Sequence, residues 1–299
     1  MVRMKPIAPA WVVLALCFQI APPAAAQQQP SPTTATHESS ARPDVEALIR
    51  QSGGDVSLAF RSLDGGAELL IQADRPFQDS LVMKIPVMIE LFAQAEAQQV
   101  KMTDAVFVRN LFRSVVDASA YTIDRAADDS LASHAGKLMT LYELCEAMIT
   151  TNSDIAANLL IERLSLEAVQ TRLHTLGVDG MVLASSFGDD KAAAAGLKNT
   201  TTPQALMNVL LMLAQNNVVS ADASAHMVGL LAHSRLPGSI VDAATPSEPS
   251  AGPTGGDQHD AAIILGARSF VLVTDVRGLL APASAALVAR ISRALAAAI

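Results

Sequence analysis

Residues 79–98, DSLVMKIPVMIELFAQAEAQ, decide how the rest of the chain is read. From Leu81 onward the apolar residues recur at helical spacing, and Pro86 stands where a first helical turn tolerates a missing N–H. The stretch predicts a helix that opens with a serine and a lysine. Ser80 precedes Lys84 by four positions, one more than the Ser-x-x-Lys spacing that sets a hydroxyl one turn from an amine.

Working outward, "DVSLAFRSL" and "AELLIQ" flank Asp64-Gly65-Gly66 and predict a hairpin, with "VEALIR" a short helix before it. Helical periodicity continues through "TLYELCEAMIT", "DIAANLLIERL" and "TPQALMNVLLMLAQ", with Ser165, Thr202 and Asp222 as expected N-caps. Strand patterns return in "DAAIILGA" and "SFVLVTDV", and an Ala-rich helix closes the chain. Both ends therefore supply strands to one sheet, while the middle forms a helical insertion with a ligand groove between the lobes. Asp242–Asp257 is expected to be a mobile loop, and no internal repeat is present.

The N-terminus has the grammar of an export signal: a short basic region, the apolar stretch "PAWVVLALCFQI" and an A-x-A site, with cleavage expected after Ala26. The apolar stretch is too short for a membrane span. The expected layout is a signal peptide at 1–26, a polar tether at 27–43 and one domain at 44–299. Its sheet lobe is expected at about 44–78 and 235–299, and its helical lobe at about 79–234. Periplasmic or secreted localisation follows from the signal.

With 51% apolar residues, the 299-residue chain can bury a large core. A net charge of −8 argues against nucleic acid as a partner. Cys145, the only cysteine left after cleavage, lies on an apolar helical side and reads as a core thiol. The histidines show no ligand spacing, so neither metal nor cofactor is expected.

The blocks "KIPVMIELF", "ELCEAMIT", "AANLLIERL", "GLKNTTTP" and "HDAAII", in that order, resemble the class A β-lactamase and serine-hydrolase family from about residue 44 to the C-terminus. The resemblance implies an α+β (mixed α/β) fold: an antiparallel sheet with flanking helices from both termini, plus an inserted all-helical lobe. It also implies acyl transfer by a serine three before a lysine, a proton-relay serine, a deacylating glutamate and a carboxylate-binding lysine.

Aligned on their neighbours, those positions carry other residues. Lys84-Ile85-Pro86-Val87 matches the family's first motif and puts Leu81 in place of the nucleophile. Asn152 falls on the relay serine and Asp154 on the triplet's asparagine, while Asn158 matches and is expected to hold local backbone. Ala194 falls on the glutamate, Lys198 on the water-holding asparagine and Pro253 on the lysine, with Thr254 and Gly255 retained.

The expectation is an exported β-lactamase-fold pseudoenzyme without β-lactam hydrolysis. It would be a monomer whose groove takes an unknown small ligand or cell-envelope partner. Ser80 reads as a helix N-cap, Lys84 as the ion-pair partner of Asp154, His259-Asp260 as structural, and Asp189 and Asp190 as solvated loop charges. The alternative is a serine acyl-enzyme using displaced Ser80 or Ser153 with Lys84, acylating and deacylating slowly or not at all. The charges of Lys198 and Asp154 invert the groove's polarity relative to the family, which disfavours anionic β-lactams.

Overall fold

The computed structural model describes residues 37–124, 129–233, 240–242 and 258–299. The expected signal peptide, the tether up to residue 36 and Pro253-Thr254-Gly255 lie outside the described residues, as does the loop from residue 243 to 257.

The strands of the main sheet are β1 (His37–Glu38), β2 (Asp55–Ser62) and β3 (Ala67–Ile71) from one end of the chain. Within the insertion lie β4 (Ala105–Phe107), β5 (Phe112–Arg113), β6 (Ala120–Tyr121) and β7 (Leu138–Thr140). The other end contributes β8 (Ile240–Asp242), β9 (Gln258–Leu265) and β10 (Phe270–Arg277). The six-stranded order is β1-β3-β2-β10-β9-β8, so strands from both ends meet at the centre. β10 runs antiparallel to β2 and to β9, with Val273 opposite Ala59 on one side and Ala261 on the other.

The expected hairpin is present, with Leu58 opposite Ile71. Its turn closes because Gly65 takes φ 74° and Asp64 Oδ1 accepts the Gly66 N–H at 2.9 Å. The sheet is antiparallel only in its interior. The short edge strands β1 and β8 pair parallel to their neighbours. β1 also shows that ordered chain begins before Asp44, so residues 37–43 belong to the fold rather than to a tether.

The period of two along each strand gives the sheet two buried faces. Leu58, Phe60 and Leu272 pack with Leu287, Ile291 and Leu295 of the closing helix and with Val45 near the start of the chain. Ala59, Val271, Val273 and Ile263 face the larger core of the insertion.

The helices are α1 (Arg42–Ser52), α2 (Ile85–Glu96), α3 (Leu141–Thr150), α4 (Asp154–Leu164), α5 (Leu166–Thr175), α6 (Asp190–Ala194), α7 (Pro203–Ala214), α8 (Ala221–Ala232) and α9 (Ala281–Ala297). The insertion is not wholly helical: β4 pairs with β7 and β5 with β6 in two small ladders. Those pairs are two or three residues long, too short for an alternation to register in sequence.

α2 is the axis of the insertion. Every residue from Ile85 to Ala93 is buried, including Glu90, whose Oε2 accepts from Arg172 Nε at 2.8 Å. A helix apolar on all sides must be enclosed. It is entered through a 3-10 turn at Val82–Lys84, which carries Lys84 into the interior. Ser165 and Thr202 cap their helices as expected; for α8 the cap is Ser220, with Asp222 inside the first turn.

Candidate functional site

Lys84 is 0% exposed, so its ammonium must find its partners inside the protein. Nζ donates to the Asn152 carbonyl at 2.8 Å, to Asn152 Oδ1, and to Asp154 Oδ1 at 2.6 Å. Three donors meet three acceptors, which is the full capacity of an ammonium. The Phe187 ring lies over it, 5.0 Å from Nζ to the centroid. Burial lowers the lysine's pKa, and the Asp154 carboxylate offsets part of that.

The loop leading into α2 corrects the role expected for Ser80. The cap is Asp79, whose Oδ1 accepts from Leu81 N at 2.8 Å and Val82 N at 3.2 Å. A carboxylate two and three residues before those N–H groups reaches them where the adjacent hydroxyl does not. Ser80 is exposed, and its Oγ donates to Asp154 Oδ1 at 3.2 Å. Ser80 and Lys84 thus share one oxygen and have no hydrogen bond to each other. Leu81, three residues before Lys84, has an all-carbon side chain.

Asn152 has φ 57°, and that left-handed turn between α3 and α4 directs both of its oxygens at Lys84. Ser153 leaves the site: it is 1% exposed, its Oγ accepts from Ala156 N at 3.0 Å as the α4 cap, and it donates to Asp129 at 2.6 Å. It is therefore the cap of α4. Asn158, fully buried, clamps Phe187 from both sides, accepting from its N–H at 2.8 Å and donating to its carbonyl at 2.8 Å. Its Nδ2 also lies 3.3 Å from the Tyr121 hydroxyl, whose pKa burial pushes up to about 12. The chain Tyr121–Asn158–Phe187 thus fixes the ring that roofs Lys84.

Above this roof opens a cavity of about 330 Å³ between residues 78–80 and the segment 185–199. Lys198 lines it, as do Asp79, Ser80 and Asp190. Ala194 does not: it is exposed on α6, and its neighbour Ala193 faces the cavity instead. Asp189 is not a solvated loop charge. It is 5% exposed, caps α6 through Ala192 N at 3.1 Å, and accepts from Val115 N at 3.1 Å. Asp190 is exposed, in keeping with its reading.

Sequence reasoning missed three contributors: Asp79 as cap and wall, Phe187 as roof and Ser185 as a second buried wall. A short acidic residue just before a helix was the legible signal for the first. The other two lie in a loop without periodicity.

His259 stacks on Phe77 with centroids 4.7 Å apart. Its Nδ1 stands 3.1 Å from Asp275 Oδ1, close enough for charge but off the hydrogen-bonding direction. Burial raises the pKa of Asp260. Cys145 is fully buried, and burial pushes its thiol up to about 12. Among the described residues no group of three or more His, Cys, Asp or Glu side chains is placed to hold a metal, and no helix is long and apolar enough to cross a membrane.

The family model described as the β-lactamase enzyme family matches residues 40–299. A β-lactamase of Rhodobacter capsulatus is 26% identical over 208 residues, covering 67% of this chain and 65% of that protein's own length. Two solved structures share the fold. The β-lactamase of Sphaerobacter thermophilus has a TM-score of 0.65 at 23% identity, covering 84% of this chain and 94% of its own. An ancestral class A β-lactamase (GNCA) has a TM-score of 0.68 at 21% identity, covering 87% and 100%.

Proposed function

The chain belongs to the β-lactamase enzyme family, and from that premise we propose that it is an exported pseudoenzyme of the family that binds a ligand without hydrolysing β-lactams. The observation that carries this reading is the state of Lys84. A lysine that activates a hydroxyl needs a lone pair directed at it. Here all three donors of a wholly buried ammonium are taken by Asn152 and Asp154, and the residue one turn earlier is Leu81. Deprotonating Lys84 would leave one of those acceptors facing it without a hydrogen.

Other positions support the same reading. No carboxylate stands at Ala194, and Asn152, at the relay position, acts as an acceptor for Lys84. Catalytic groups of such sites act as a unit, so losing several together removes the covalent route rather than slowing it by their product. Export is supported by the basic, apolar and A-x-A pattern of residues 1–26.

One observation favours a second reading, a stalled acyl-enzyme. Ser80 Oγ is exposed at the mouth of the cavity and touches the same Asp154 oxygen as Lys84. Against it, that hydroxyl donates to a carboxylate, and a neighbouring negative charge disfavours an alkoxide.

Intact mass of the folded protein after long incubation with a reactive penicillin separates the two. The expected result is an unchanged mass. A stable adduct of one drug mass, mapped by digestion to Ser80, overturns the pseudoenzyme reading.

A further inference from the structure

Away from the cavity, the chain from Phe107 to Val115 leads from β4 into β5, and its exposure nearly alternates residue by residue. Val108, Phe112 and Ser114 are buried, while Phe107, Arg109, Leu111, Arg113 and Val115 are exposed. A period of two is what an extended chain with one packed face shows. The unusual part is the outward row. Apolar and cationic side chains alternate along it with no acid between them, where a solvated face carries polar residues. Phe107 is 62% exposed and Leu111 54%, and Leu138, 57% exposed, stands directly opposite Phe107 across the β4–β7 ladder. Single exposed apolar residues need no explanation, but a set gathered along one strand does.

A second observation concerns charge. The acids near the row are each held by a cation: Glu162 by Arg109, Asp104 by Arg163 and Asp117 by Lys191. Arg113 spends one N–H on the Ala118 carbonyl, and Lys137 is exposed next to Leu138; neither has an acidic partner among the described residues. Two uncompensated cations thus flank the exposed apolar side chains, on a chain whose net charge is −8. Charges beyond about 10 Å are screened by salt, so this face meets a partner with its own charge rather than with that of the whole chain.

We propose that this face docks on an anionic lipid surface. Phe107, Leu111, Val115 and Leu138 enter the boundary between headgroups and acyl chains, and Arg113 and Lys137 pair with lipid phosphates, as in an interfacial anchor. A second copy of the chain fits less well. Four partly exposed side chains fall far short of the roughly 800 Å² per partner that a stable interface buries, and two such faces would bring like charges together. None of these residues lines the cavity, so the inference does not depend on the pseudoenzyme reading.

The test is sedimentation of the full chain with sucrose-loaded vesicles, either phosphatidylcholine alone or its mixture with phosphatidylglycerol. The chain binds the anionic vesicles roughly tenfold more tightly or better. Phe107→Thr with Leu138→Thr weakens that binding by roughly tenfold or more. Arg113→Gln with Lys137→Gln weakens it roughly twentyfold, since each cation near the surface contributes about fivefold. Threonine keeps the strand propensity of both ladder positions, and circular dichroism confirms the fold.

The apolar stretch at residues 9–20 has its own affinity for lipid, so a local reporter is needed. Trp11 is the chain's only tryptophan, and Phe107→Trp in a Trp11→Phe background puts the sole indole on the proposed face. Its emission shifts to the blue with anionic vesicles and is quenched by brominated lipid. No vesicle binding, equal binding to both lipids, or full binding by the threonine variant overturns the proposal. So does vesicle binding with unshifted emission, which assigns the affinity to the N-terminal stretch. Dimers that the threonine variant abolishes, or polyglutamate binding with emission unshifted by vesicles, overturn it in favour of a second copy or an acidic protein segment.

Discussion

Nζ of Lys84 lies 2.6 Å from Oδ1 of Asp154, and the two partners differ in their access to water: the lysine side chain is 0% exposed and the aspartate 35%. The contact is therefore lopsided. Removing Asp154 strands a buried ammonium with two neutral acceptors; removing Lys84 leaves a carboxylate that can hydrate. Breaking a buried pair from one side costs more when the charge left behind is enclosed.

The first prediction is that asymmetry. Asp154→Ala should destabilise by roughly 2–4 kcal/mol, and Lys84→Met, which refills the volume with apolar atoms, by roughly 1–2 kcal/mol. Urea denaturation of the two variants and their double mutant measures it. A lysine variant at least as costly as the aspartate variant would mean that the ion pair does not govern this site.

The loop into α2 yields a second prediction. Because Asp79 satisfies two N–H groups at the helix start, Asp79→Ala should cost about 1 kcal/mol. Ser80→Ala, which removes only an exposed hydroxyl contact, should stay within about 0.5 kcal/mol of wild type. Thermal melts in parallel decide it. The reverse order would restore Ser80 as the cap.

These residues also mark where sequence stops being legible. The sheet halves, α2, α3, α4, α7 and α9 were readable because long apolar periods survive any detail of packing. The expected register at the site rests on Pro86 and the Ala156-Ala157-Asn158 run, which lie in α2 and α4. Ser80 and Asp79 were confused because capping depends on which of two adjacent side chains reaches back, a matter of one backbone dihedral. Ala194 and Asp189 were misplaced for a related reason. α6 is five residues long, and a helix that short leaves no periodic trace. Phe187 was invisible as a roof because it is positioned by Asn158, 29 residues away in the chain.

The Asn158 clamp is the third prediction. Its carboxamide is fully buried and satisfies both backbone groups of Phe187. Asn158→Ala leaves an N–H and a carbonyl unpaired in the interior, an expected loss of about 2–4 kcal/mol. It should also free the ring over Lys84, so amide hydrogen exchange at residues 185–189 should accelerate. Destabilisation with unchanged exchange there would show that the loop does not depend on the clamp.

The fourth prediction concerns acid. Asp275 is wholly buried in the sheet, where it accepts from Ser57 Oγ at 3.1 Å and Arg277 Nε at 3.1 Å, with Arg75 Nη2 at 3.4 Å. Burial alone would raise its pKa, but His259 and Arg277 beside it outweigh burial and hold it at about 2, below the ordinary 3.8. A carboxyl whose folded pKa is depressed stabilises the protein above its unfolded value and loses that contribution as pH falls through the folded one. Its contribution, on the order of 2 kcal/mol, should be complete above pH ~5, mostly lost by pH ~2 and gone near pH ~1. Urea unfolding of wild type and Asp275→Asn at stepped pH isolates it, because all other carboxyls cancel in the difference. The gap between the two proteins should narrow from pH ~5 to pH ~2; a constant gap would mean that the Asp275 carboxylate is not what acid removes.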